Sequence, residues 1–251
     1  MRDGDFRVRG KEVSRVEGLS DAVFGFAITL LAISLEVPKT SGEVLHALRG
    51  VGAFAITFLM LFSMWRTQFM FFRRYGIEDR KVVWLTGALL FVLLVFVYPL
   101  KFIMGTLVES LLKHAGLPDP EFHRAVALPE SDIPPLFAAF GFGFAAVFGV
   151  FSLMYRHAYA LRETLKLDEV EIFDTLEIIS AAQKVFVLGM ALGASYLIAM
   201  LVPQYALQLQ YVGTAVVLAA VVAVLRQRRS RKKRRGAIRR ERVESVLGAE
   251  A

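Results

Sequence analysis

Ser20 and Asp21 stand at the start of an otherwise apolar stretch, Gly18 to Val37, and theirs are the residue types most capable of chemistry there. An aspartate at that depth is costly in lipid and has to face protein, water or an ion. Two uses are open: a polar group serving an ion pathway, or an ordinary first-turn acid favoured by the helix dipole. At about 100° per residue, Phe26, Leu30, Ile33 and Val37 share one stripe, which Leu19 and Ala22 extend toward the N-terminus. Asp21 falls nearly opposite, so it is expected to brace the helix and not to line whatever the stripe faces. Thr29, about 60° from Phe26, offers a hydroxyl beside the stripe. Taken alone, such a stripe more often packs a helix than lines a pore.

Elsewhere the chain offers little reactive chemistry. Cysteine is absent, and His46, His114, His123 and His157 lack metal-ligand spacing. They are expected at the surface. No His-Glu-x-x-His motif, phosphate loop or nucleophile elbow occurs, so no enzymatic activity, cofactor or metal site is expected. Arg66, Lys101 and Lys184 lie inside or near apolar segments and are read as snorkelling to the interface. Arg15 and Lys184 are the candidate ion-pair partners of Asp21. Gly141, Gly143, Gly189 and Gly193 have the spacing of close helix packing.

The elements that position these residues follow from composition. With 56% hydrophobic residues in 251 and a mean hydropathy of +0.52, the chain lies outside the soluble range. Six blocks are long enough to cross a bilayer: about 17–37, 47–72, 82–107, 133–157, 178–202 and 205–225. All are expected to be helices, because lone strands leave backbone groups unpaired in lipid. Pro38, the Arg73-to-Asp79 turn, Pro118, Pro120, Pro129, Pro134 and Pro203 mark the breaks. The organisation expected is a segment 1–16, a six-helix membrane domain 17–226 and a basic tail 227–251.

Basic residues set the orientation. Arg2, Arg7, Arg9, Lys11 and Arg15 precede the first block; Arg73, Arg74, Arg80 and Lys81 separate the second from the third; Arg156, Arg162 and Lys166 follow the fourth. Both termini are therefore expected in the cytoplasm. The net charge of +7 is concentrated in the tail from Arg226 to Arg242, a pattern that suits anionic lipid and gives no reason to expect nucleic acid. The first block follows a charged leader without a small-residue cleavage site and is read as retained.

The stretch Arg15-x-x-x-Leu19-Ser20-Asp21-Ala22-Val23-Phe24-Gly25-Phe26-Ala27-Ile28-Thr29-Leu30-Leu31 resembles the signature of the transmembrane protein 175 family of potassium-permeable channels. That signature usually reads Arg-x-x-x-Phe-Ser-Asp-Gly-Val-Phe-Ala-Ile-x-x-Thr-Leu-Leu. Trp65 and the pair Tyr98-Pro99 add support. The resemblance implies an all-α membrane protein of six transmembrane helices per chain, assembled as a homotetramer with helix 1 lining a central pore in the plasma membrane. It implies a constriction of Phe26, Leu30 and Ile33, a hydroxyl layer at Thr29, and a polar network of Arg15, Ser20 and Asp21 holding the first helix. Leu19 and Phe26 depart from the pattern, and Gln68, standing near where a histidine usually follows the tryptophan, is expected to supply the polar partner and complete that network. The function implied is passive flux of K+, and of other monovalent cations, through a hydrophobic gate that dewets when narrow. A secondary transporter coupled to protons or sodium is the alternative, and a membrane scaffold the third reading.

Overall fold

A computed structural model describes residues 2–3, 6–33, 41–114, 116, 129 and 131–202. The sixth apolar block, the basic tail, most of the connection after the third block and the side chains of Tyr98, Pro99 and Lys101 lie outside the described residues. The described chain forms α1 (Arg15–Ile33), α2 (Ser41–Tyr75), α3 (Arg80–His114), α4 (Ile133–Ala160) and α5 (Glu169–Leu201). Each contains a stretch long and apolar enough to cross a membrane. The protein is a multi-pass helical membrane protein.

Among the described residues, the one departure from helix is a small antiparallel ladder, β1 (Arg2–Asp3) with β2 (Phe6–Arg7), pairing Arg2 with Arg7 and Asp3 with Phe6.

Local chemistry explains the helix ends. Ser14 caps α1, its Oγ accepting from the Glu17 N–H at 3.0 Å. Gly76, at φ +60°, closes α2 by donating its N–H to Phe72 O. Asp79 caps α3, and Pro134 and Pro135 occupy the first turn of α4. Asp168 and Glu171 form a reciprocal capping box that starts α5. That box places the start of α5 well before residue 178, where the apolar block begins. The acidic first turns of the helix are not themselves apolar, so hydropathy does not see them.

The most extensive packing is α4 on α5, where Gly141, Gly189 and Gly193 bring the backbones together. Phe96 of α3 meets Phe140 and Phe144 of α4, with ring centroids 5.4 and 6.2 Å apart. At the end of α2, Phe71, Tyr75 and Tyr155 form a ring cluster whose hydroxyls are satisfied: Tyr155 Oη donates to Thr67 O, and Tyr75 Oη bonds Thr175 Oγ1.

His157 differs from its expected surface place. Its side chain is largely buried and bonded through Nε2 to Asp79 Oδ2, pinning the α2–α3 turn to the end of α4. Burial pushes the Asp79 carboxyl up, but the Val82 amide and the His157 ring outweigh it and hold the group below its ordinary value.

Candidate pore helix and its polar anchor

The two faces of α1 separate by helical phase. Glu17, Ser20, Phe24, Ala27 and Leu31 recur in steps of three and four and are buried. That face packs on α2 and α3. The other face stays open: Leu19, Phe26 and Ile33, spaced seven residues apart, are 58%, 56% and 73% exposed. Thr29 is exposed beside them and Leu30 is half-buried. Val37, which shares the stripe by phase, lies outside the described residues. Among the described residues nothing covers this apolar row. Thr29 Oγ1 donates its proton to Gly25 O at 2.9 Å, which leaves the oxygen able to act as an acceptor.

Two polar contacts tie α1 to α2, one buried and one exposed. Ser20 Oγ donates to Val16 O at 2.8 Å and accepts from Gln68 Nε2 at 3.0 Å. Gln68 is only 1% exposed, and its Oε1 has no hydrogen-bond partner among the described residues. One turn toward the N-terminus of α2, Trp65 Nε1 donates to Asp21 Oδ1 at 2.7 Å. The Trp65 ring is held between Phe62 and Phe69, with centroids 5.2 and 5.4 Å away. Both contacts fix the rotation of α1 about its own axis, and that rotation decides which row faces outward.

The structure therefore brings together Ser20, Asp21 and Gln68, and adds Trp65. Arg15 is exposed and makes no hydrogen bond or ion pair among the described residues. Glu17, a charged residue that no apolar stripe singles out, is buried on the inner face, with Oε1 3.5 Å from Arg73 Nε. The signal for it was available, since Ser14-x-x-Glu17 is a capping pattern.

These features define a polytopic helical membrane protein whose short first helix is braced on one side and bare on the other. The chain belongs to the family described as endosomal/lysosomal potassium channel TMEM175, whose family model matches residues 15–99. It is 40% identical to a potassium channel of Marivirga tractuosa over 171 residues, 68% of this chain and 69% of that protein. It is 32% identical to a potassium channel of Streptomyces collinus over 111 residues, 42% of this chain and 54% of that one. Among solved structures it is similar to a variant of the potassium channel MtTMEM175 crystallised with a nanobody–MBP fusion. The TM-score is 0.77 at 32% identity, covering 92% of this chain and 98% of that one.

Proposed function

We propose that the protein is a homotetrameric, potassium-permeable channel of the plasma membrane, passing ions passively with both termini in the cytoplasm. One α1 from each protomer lines the axis. Phe26, Leu30 and Ile33 form the apolar constriction and Thr29 a layer of hydroxyl acceptors. The observation that carries this reading is the division of α1: Glu17, Ser20, Phe24, Ala27 and Leu31 are buried against α2 and α3, while the apolar row of Leu19, Phe26 and Ile33 is left bare. Membership of a potassium-channel family supports the cargo. The unbroken run of the described spans speaks against a secondary transporter, whose binding sites are commonly built from discontinuous helices.

Purified protein in liposomes under a potassium gradient tests the class. Fast, uncoupled cation flux is the expected result. Flux that requires a proton or sodium gradient would mark a transporter, and no flux at all a scaffold.

The hydroxyl layer has its own test. In Thr29→Val the side chain keeps its shape but loses the acceptor, and K+ permeability relative to Na+ is expected to fall a few-fold. An unchanged reversal potential under bi-ionic conditions would remove Thr29 from the permeation path.

A further inference from the structure

The segment before α1 is not a free leader. Phe6 is the first apolar side chain after Met1 and is 1% exposed. It sits edge-on against Tyr75 at 5.5 Å, under the Arg74 guanidinium at 4.8 Å. The N–H groups of Arg9 and Gly10 both donate to Arg73 O, at 3.0 and 3.1 Å, which satisfies a carbonyl at the end of α2. Gly10 lies so close that a Cβ there would collide with Phe72 O.

The centre of this strap is Arg9. Its Nη2 meets Glu171 Oε2 at 2.6 Å and its Nη1 meets Oε1 at 3.2 Å, a two-pronged pair at the first turn of α5. The same guanidinium donates to Leu165 O and Lys166 O in the α4–α5 loop and to Arg74 O of α2. The Arg7 N–H adds a bond to Glu171 Oε1 at 2.7 Å. On the other side, Arg73 Nη1 donates to Gly10 O and Lys11 O, while its Nε faces Glu17 of α1. A continuous polar chain thus runs from α5 through Arg9 and the strap to Arg73 and into the inner face of α1.

We propose that Arg9 and Glu171 are positioning residues for permeation: their pair clamps the N-terminal end of α1 to α2 and α5 and sets the equilibrium between conducting and blocked arrangements of that helix. The proposal rests on α1 lining the pore. A helix that must shift for its apolar ring to widen is restrained by whatever ties its end to its neighbours. Neither residue reaches the exposed row, so the pair acts on how often the pathway opens and not on its bore. Removing the tie lowers the cost of leaving the restrained arrangement, which is the narrow one for an apolar ring at rest.

Single-channel recording of the full-length protein in planar bilayers tests this. Arg9→Gln and Glu171→Gln are each expected to raise open probability at least about fivefold, the scale of coupling between linked elements. Unitary current and the K+/Na+ permeability ratio should stay unchanged. Arg9→Lys keeps the charge but loses the two-pronged geometry, and is expected to fall between wild type and Arg9→Gln. It serves also where a glutamine variant yields no folded protein. Normal open probability in all folded variants, even with lowered melting temperature, would reduce the strap to a stabilising staple and overturn the proposal. A changed unitary current would overturn it too, by placing the pair in the conduction path. Phe26→Ala, recorded alongside, separates the two ideas: its failure to alter current defeats the pore assignment, whatever the Arg9 variants do.

Discussion

Phe26→Ala is expected to raise unitary potassium current severalfold. If four copies of α1 surround the axis, four phenyl rings meet at residue 26, where a narrow apolar ring expels water and with it any hydrated ion. Truncation to methyl groups removes most of that apolar bulk and lets the section hydrate. The change should leave the protomer intact, because Phe26 is on the bare face of α1 and packs little against its own chain. Contrast Phe24, two residues earlier and fully buried, whose truncation should cost about 3–5 kcal/mol of stability and say nothing about conduction. Unitary current measured in symmetric potassium, with monodispersity checked in parallel, gives the result. A current equal to wild type would remove Phe26 from the constriction.

Helical phase is what made the two faces of α1 legible in the sequence. Residues 3, 4 and 7 apart share a face by geometry, so Phe26 with Ile33, and Ser20 with Ala27, could be grouped before any fold was known. Helix starts carry short-range signals of another kind, Asp168-x-x-Glu171 and Ser14-x-x-Glu17, which a reading by apolar blocks does not register even though a cap is settled within one turn. What could not be read was which distant residue completes each polar side chain. Asp21 finds Trp65, 44 positions on, and Arg9 finds Glu171, 162 positions on. Several acids and bases in this chain are chemically equivalent candidates, and only packing chooses between them. Arg7, Arg9 and Arg15 looked alike as orienting charges. Arg9 is nonetheless wound into a backbone cradle, while Arg15 stays exposed. Phe6, one apolar residue in a charged run, has no periodicity to announce that it is buried.

Close glycine packing, by contrast, could be suspected from spacing and now carries the strongest expectation for stability. A Cβ at Gly141 would run into Gly193 N and lie 2.7 Å from Gly193 Cα and 2.9 Å from Gly189 O. All three are backbone atoms, so no side chain can rotate away, and Gly141→Val must push α4 and α5 apart along the most extensive contact in the described fold. Overpacking of this kind costs about 1–3 kcal/mol or more, read as a marked fall in melting temperature and loss of monodisperse protein in detergent. Gly149→Ala should be much milder, because its Cβ would meet only the edge of the Phe186 ring, at 3.0 Å. Gly87→Ala should be close to neutral, with nothing within 4 Å of the added methyl. A Gly141→Val protein as stable as Gly87→Ala would mean the two helices are not in backbone contact. The same series bears on permeation, since α5 begins at Glu169 and presents Glu171 to Arg9 two residues later. A mild variant such as Gly149→Ala that survives folding but shifts open probability would show that the α4–α5 seam transmits to α1 through the strap.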